Sequence, residues 1–303
     1  MANRELVILG TAGLAPTADR NHNGYLLRWD GRAVLFDPGE GTQRQFTRVG
    51  VSAATVTRIC ISHFHGDHCL GLPGMIMRLA IDEGHLPVPI HYPASGEEYF
   101  QRLRYATDGQ ELVPVDARPI EESGVIHRDD VFELRCARLS HSVETFGYRL
   151  EEPARRRFVR ERLDEFGIEG AAIGRLRTEG SILHRGRTVE LTEVSEDRPS
   201  QSVAYIMDTA PCDAATELAT GVDLLVCEAT FLSAENDLAA EYGHMTARQA
   251  GQLARRAGAR RLVLTHFSRR YADAEEFGRE ALTEFDDVVV ARDHDRIAVP
   301  PRR

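Results

Sequence analysis

With 303 residues, 42% of them apolar, the chain is long enough to bury a large core. No apolar run approaches the roughly 18 residues that a membrane-spanning helix needs. A formal net charge of −10 argues against a general nucleic-acid binder, although a local basic strip on an acidic protein can still hold phosphates. All 37 basic residues are Arg, a compositional trait of GC-rich coding sequence before it is a phosphate-binding one. Five scattered cysteines (Cys60, Cys69, Cys136, Cys212, Cys227), with no CxxC pair, exclude a disulfide framework or a cysteine zinc knuckle and read as small core residues. The opening MANRELVILGTAGLAPTADRNH has an acidic residue and an early turn where a signal peptide would have its apolar stretch. A soluble cytoplasmic protein is expected.

Along the chain, short β-like runs alternate with amphipathic stretches. ELVILG (5–10), GYLLRW (24–29) and RAVLFD (32–37) read as strands, with Asp30-Gly31 as a hairpin turn between the last two. VTRICIS (56–62) follows, then a helix-like stretch near 71–83. Later strands are VFELRCARL (131–139), FGYRL (146–150), SVAYIMD (202–208), VDLLVCE (222–228) and RLVLTH (261–266). Between the last two, TARQAGQLARRAG places apolar residues at helical spacing. The alternation, without any fixed repeat, predicts a layered α/β domain over 1–303.

Residues 151–187 interrupt this pattern and lack a sustained core periodicity. From 154 to 187 there are nine Arg against five acidic residues, a local excess of four positive charges. One reading is a solvated helix and loop; the other is an inserted basic arm that contacts something acidic.

ISHFHGDHCLGLPG holds His63, His65, Asp67 and His68 at the end of an apolar, β-branched run. In an extended segment residues i and i+2 point the same way, so His63 and His65 can share one metal. A turn at Gly66 then swings Asp67 and His68 toward a second. Imidazole and carboxylate suit zinc, whose bound water is acidic enough to attack near neutral pH. Four ligands in one loop cannot close two sites. The chain repeats the same placement three more times, with His141, Asp208 and His266 each ending a strand-like run. Strand ends gather at one edge of layered α/β folds and form the crevice there. Singly, each has an ordinary reading as a turn former or surface residue; together they match one metal-ligand set.

HFHGDH with the later His, Asp and His resembles the metallo-β-lactamase superfamily, and the whole chain is similar to the ribonuclease Z family within it. LGTAGLAPTADRN, FDPGEGTQRQ, LSHSVETFGYRL, Asp208-Thr209, CEATF, GHMTARQA, LTHFSRRY and VPPRR resemble family segments in the same order. The resemblance implies an αββα sandwich with an inserted flexible arm at 151–187, two Zn2+ per chain (Mn2+ or another divalent ion in their place), and endonucleolytic removal of the 3′ trailer from precursor tRNA. It assigns His63, His65 and His141 to one metal and Asp67, His68 and His266 to the other, with Asp208 bridging. Asp67 would also orient the attacking water, Asp37 would support the histidine loop, and His244, oriented by Glu228, would serve the leaving group. A homodimer is implied as well. The sequence departs from the family pattern at Cys227, where His is usual, at Ala18, where a basic residue is common, and at Gly170-Ala171-Ala172, near the arm's usual Gly-Pro. Two rival readings share the metal ligands: a phosphodiesterase or arylsulfatase of the same superfamily acting on a small molecule, and a non-catalytic, metal-stabilised RNA-binding protein.

Overall fold

Two seven-stranded mixed sheets face each other in a computed structural model that describes residues 4–84, 86–108 and 113–302. The first sheet has the order Arg296–Ala298, Glu5–Gly10, Gly24–Trp29, Arg32–Phe36, Arg58–Cys60, Val88–Pro93, Val115–Ile120. The second has the order Val288–Val290, Leu262–Thr265, Leu224–Glu228, Ser202–Ile206, Phe146–Glu151, Glu133–Arg138, Gly124–Arg128. Period-two alternation explains why the strand sequences are apolar on both faces. In Glu5–Gly10, Leu6 and Ile8 join the cluster between the sheets, while Val7 and Leu9 join the cluster under the helices. The inter-sheet layer is closed by Tyr25, Phe36, Tyr148 and Tyr205, with Phe36 stacked on Tyr205 at 4.7 Å. Each fully buried large apolar side chain contributes about 1.5–3 kcal/mol, so this layer holds the sheets together and the polar edge is free to carry chemistry.

Outside the first sheet lie Thr42–Arg48, Leu72–Ile81 and Glu97–Arg104; outside the second lie Asp213–Leu218, Ala247–Ala257 and Glu275–Ala281. The result is the four-layer αββα sandwich of the metallo-β-lactamase fold. Asp30 and Gly31 both take positive φ at the expected hairpin, the backbone twist that two-residue hairpins favour. The run at 56–62 is extended only over Arg58–Cys60, and Gly66 opens a short helix, Gly66–Cys69, where the sequence suggested a plain turn. Its single turn is what rotates Asp67 and His68 away from His63 and His65.

Strand direction places the chemistry. Ser202–Ile206, Leu224–Glu228, Leu262–Thr265 and Val288–Val290 run parallel, so their C-terminal ends share one edge. Asp208, Glu228 and His266 sit at or just past those ends. In the first sheet, Arg32–Phe36 and Arg58–Cys60 are also parallel, and Asp37 and the His63 loop leave them.

The chain divides into two units, one of residues 1–151 and 202–300, the other of 152–201 and 301–303. The second unit pairs Arg155–Phe158 with Ser195–Arg198 and Ser181–His184 with Arg187–Glu190, and adds the helices Arg160–Phe166 and Ala171–Glu179. It has a small core of its own (Leu163, Ile168, Leu176, Ile182, Val189, Val194), which the sequence pattern had not suggested. The insertion therefore runs to 201, beyond the expected 187. Over 152–201 ten Arg face ten acidic residues, because the return strand supplies acids opposite the Arg run. Arg156 pairs with Asp197 and Arg157 with Glu196, their partners in register. Arg162, Arg177 and Arg185 are exposed and have no ion-pair partner among the described residues.

Candidate metal centre

All seven histidines and aspartates singled out as ligands reach one site. Donor atoms of His63, His65, His141 and Asp208 lie within 4.8 Å of one another, as do those of Asp67, His68 and His266. Asp208 stands between the groups. Its Oδ2 is 3.5 Å from His63 Nε2, 3.9 Å from His141 Nε2 and 3.3 Å from His68 Nε2, and its Oδ1 is 3.1 Å from His266 Nε2. On the other side, Asp67 Oδ2 lies 3.3 Å from His68 Nε2 and 3.4 Å from His266 Nε2.

The histidines arrive with a defined nitrogen exposed, because the other one is spent on the protein. His68 Nδ1–H donates to Asp37 Oδ2 at 2.8 Å. Ser62 Oγ gives its single proton to the same carboxylate (2.7 Å), so it accepts from His63 Nδ1–H at 2.9 Å. The second sheet repeats this arrangement. Thr230 Oγ1 donates to Glu228 Oε2 at 2.6 Å and accepts from His266 Nδ1–H at 2.7 Å, while His244 Nδ1–H donates directly to Glu228 Oε1 at 3.0 Å. Each of the two buried carboxylates thus orients one imidazole directly and one through a hydroxyl. His141 Nδ1–H donates to the carbonyl of Gly243 at 2.8 Å. His63, His68, His141 and His266 all present Nε2, and His65 brings Nδ1 to within 3.4 Å of His141 Nε2.

Local sequence sets these positions. Asp37, Asp208 and His266 have φ of 44°, 44° and 62°, left-handed backbone that costs a non-glycine residue and clusters at functional sites. His244 lies between two helix ends. Gly243, at φ 69°, closes the helix Asn236–Tyr242 in the left-handed conformation that glycine tolerates best, and Thr246 opens Ala247–Ala257 with a full capping box to Gln249.

The site has the electrostatics of a place built for cations. Asp37, Asp67, Asp208 and Glu228 are all buried, and their ion-pair partners among the described residues are histidines only. Buried carboxylates need opposite charge close by. His63 Nε2 and Asp208 Oδ1 are buried without a hydrogen-bond partner among the described residues, although both face this cluster. Burial and the neighbouring His68 hold His63 well below its usual pKa, and burial also lowers His65 and His141, so these imidazoles favour the neutral form with a lone pair to donate. Burial would raise the Asp67 and Asp208 carboxyls, but the surrounding histidines override it and keep both ionised. His68 goes the other way: burial opposes its proton, but Asp208, Asp67 and Asp37 outweigh burial and raise it, so a metal would have to displace that proton. Neutral imidazoles at His63, His65 and His141, ionised carboxylates and orphaned donor atoms suit a divalent metal.

A cavity of about 350 Å³ opens onto the donors, lined also by Leu14, Tyr242, His244 and Arg270. His244 is pushed up to about 9; burial works against the proton, and Glu228 and Asp208 outweigh it. With Nδ1 held by Glu228, its Nε2 is the nitrogen left for chemistry. Cys227 lies among the apolar residues under the helices of the second sheet, on the face away from the donors. The sequence reading did not find Ser62, Thr230 or Asn23, whose Nδ2 sits 3.2 Å from His68 Nε2 and 3.4 Å from Asp67 Oδ2. Ser62 and Thr230 do stand one or two residues from His63 and Glu228, which was the available signal.

The fold and donor set define a metal-dependent hydrolase of the metallo-β-lactamase superfamily, whose family model matches residues 17–266. Ribonuclease Z of Nocardia farcinica is 54% identical over 305 residues, covering the whole of both chains, and that of Chlamydia pneumoniae is 46% identical over 97% of this chain and 96% of its own. The crystal structure of the short form of human tRNase Z superposes with a TM-score of 0.70 at 26% identity, covering 98% of this chain and all of that one. The chain belongs to the ribonuclease Z family and is a metal-dependent endoribonuclease.

Proposed function

We propose that the chain removes the 3′ trailer from precursor tRNA by hydrolysing one phosphodiester bond, with two zinc ions held by the seven donors and with manganese or another divalent ion able to replace them. His63, His65 and His141 would hold one ion, Asp67, His68 and His266 the other, and Asp208 both. The observation that carries this reading is the pair of buried donor atoms, His63 Nε2 and Asp208 Oδ1, that have no hydrogen-bond partner among the described residues and lie inside two adjoining ligand groups. When bound, the metals supply Lewis acidity toward the phosphate and a water acidic enough to attack near neutral pH.

The protein groups do the rest. Asp67 orients the attacking water, its Oδ2 itself fixed by the backbone N–H of Leu14 at 2.7 Å. As water adds to phosphorus, the bond from phosphorus to the 3′ oxygen breaks, leaving a 3′ hydroxyl on the tRNA and a 5′ phosphate on the trailer. His244 gives that departing oxygen its proton, and Glu228 holds the proton on His244 until then. The unit 152–201 serves as the arm that grips the tRNA body through phosphates, which sets register and reads no sequence. Arg162, Arg177 and Arg185, which have no ion-pair partner among the described residues, would supply the charge for it.

The same reading extends to a cytoplasmic homodimer, and no helix among the described residues is long and apolar enough to cross a membrane. Elemental analysis tests the centre. Protein purified without chelator should approach two metals per chain, and Asp208→Ala should lose more metal than any single histidine change. A metal-free wild-type protein that still hydrolyses phosphodiesters would overturn the reading.

A further inference from the structure

A second pocket shares His65 with the catalytic cavity but none of the leaving-group machinery. It holds about 270 Å³ and is lined by Phe64, His65, Pro93, Gly96, Tyr99 and Val143, and by the polar Ser95 and Glu144. His244 and the segment around it are not among its walls. We propose that this pocket stacks the base of the first trailer nucleotide, the one just 3′ of the cut. The proposal rests on the RNA-cleaving function above and goes beyond it by naming a substrate position and the residues that receive it.

The pocket is aromatic and held rigid. Phe64 alternates with the ligands His63 and His65, so its ring turns away from the metal donors and toward the turn Ala94–Gly96. There it presses on the backbone so closely that a Cβ on Gly96 would lie 2.0 Å from Phe64 Cδ2, which excludes any side chain at 96. The ring centroid is 6.0 Å from those of both Tyr92 and Tyr99. Tyr92 is buried, stacks on Phe100 at 4.2 Å and donates to Glu97 Oε2 at 2.6 Å, tying the helix that carries Tyr99 to the sheet. Tyr99 is 51% exposed and Val143 42%, unusual for an aromatic and an aliphatic side chain beside a catalytic cavity.

Charge decides between a base and a phosphate. No Arg lines the pocket, and its one carboxylate, Glu144, is already matched by Arg138 and the backbone N–H of Ser95. The nearest guanidiniums, Arg102 at 5.8 Å from the Tyr99 ring centroid and Arg138, are already paired with Glu98 and Glu144. A phosphate would therefore find no unpaired cation among the described lining residues, whereas the flat face of a base finds aromatic and apolar surface. Single-stranded RNA is bound by stacking in this way, with little dependence on sequence. Position decides which base. The terminal tRNA nucleotide carries the departing 3′ oxygen and must lie by His244, so the pocket on the His65 side receives the nucleotide across the scissile phosphate.

The test pairs a protein change with a substrate change. Tyr99→Ala and Tyr99→Phe are compared with wild type on a 3′-extended precursor tRNA, and on the same precursor made abasic at the first trailer position. Tyr99→Ala should lower kcat/KM about five- to hundredfold, mostly through KM, the range that one lost base stack gives. Tyr99→Phe, which keeps the ring, should stay within about twofold. The abasic substrate should cost wild type a similar factor and cost Tyr99→Ala almost nothing more. Equal abasic penalties in wild type and Tyr99→Ala, or no penalty in either, would overturn the pocket assignment while leaving the endonuclease reading intact. A wild-type protein that does not cleave the base-containing precursor would overturn both.

Discussion

Asp37 is the side chain on which the histidine loop depends most, and replacing it with Asn probes that dependence with little change of shape. Asn tolerates left-handed backbone as Asp does, so the φ of 44° at this position adds little cost. The carboxylate accepts four hydrogen bonds: Ser62 N at 2.6 Å on Oδ1, then Ser62 Oγ at 2.7 Å, His68 Nδ1 at 2.8 Å and Tyr205 OH at 2.8 Å on Oδ2. An amide keeps at best the three on one oxygen and turns its NH2 against Ser62 N. One stranded buried donor costs about 1–3 kcal/mol, and three bonds that lose the charge of their acceptor weaken by about 1 kcal/mol each. The metal-free variant should therefore be destabilised by about 4–6 kcal/mol, a large part of a typical domain's stability. Metal affinity should fall about 10–100-fold, since the acceptor that orients His68 directly and His63 through Ser62 loses its charge. Urea unfolding of metal-free protein gives the first number, and zinc titration against a competing chelator gives the second. An Asp37→Asn variant with wild-type affinity and midpoint would refute the orienting role.

Changing His244 to Ala should leave metal content unchanged and lower turnover of precursor tRNA roughly hundredfold or more, with a smaller loss on a nitrophenyl phosphodiester whose leaving group needs no proton; equal losses would make His244 structural. Because Glu228 holds the His244 proton on, to about 9, Glu228→Gln should move the alkaline limb of kcat to lower pH, and an unmoved limb would contradict the pairing. Replacing Arg162, Arg177 and Arg185 together with Ala should flatten the salt dependence of precursor binding by about two to three in log–log slope, with nitrophenyl diester hydrolysis retained; an unchanged slope would remove these residues from the RNA contact. His91 is buried against Arg58 and pushed down to about 3, by burial first and then by that guanidinium. The unfolded chain binds its proton near 6.5, so this group's contribution is full above that pH and is lost as pH falls toward 3. Up to roughly 3 kcal/mol of acid sensitivity should disappear in His91→Gln, as read from urea unfolding between pH 7 and pH 4.

The chemistry was more legible in the sequence than the scaffold that aims it. His63, His65, Asp67 and His68 fall within six residues, and His141, Asp208 and His266 each follow an apolar run, so period-two strands with a shared edge were enough to gather them. Ser62 and Thr230 were not legible as relays, because a hydroxyl beside a ligand looks the same whether it faces solvent or a buried carboxylate. Val88–Pro93 and Val115–Ile120 escaped notice since Pro89, Pro93 and Pro119 mask their strand character; the second lies at a sheet edge, where proline is tolerated. The insertion's small core was hidden because Leu163, Leu176 and Val189 come from two helices and a hairpin, with no common period. Its charge balance depended on where it ends, and only the pairing of Arg155–Phe158 with Ser195–Arg198 reveals that.

On the proposed function, this donor cluster cuts precursor tRNA at the 3′ end of the mature sequence. The most direct measurement incubates zinc-loaded protein with a 3′-extended precursor tRNA and sequences both product ends. A single cut leaving a 3′ hydroxyl on the tRNA and a 5′ phosphate on the trailer, abolished by chelator and restored by zinc, is the predicted result. An intact precursor under conditions where the same protein hydrolyses a nitrophenyl phosphodiester would contradict it and point to a small-molecule substrate.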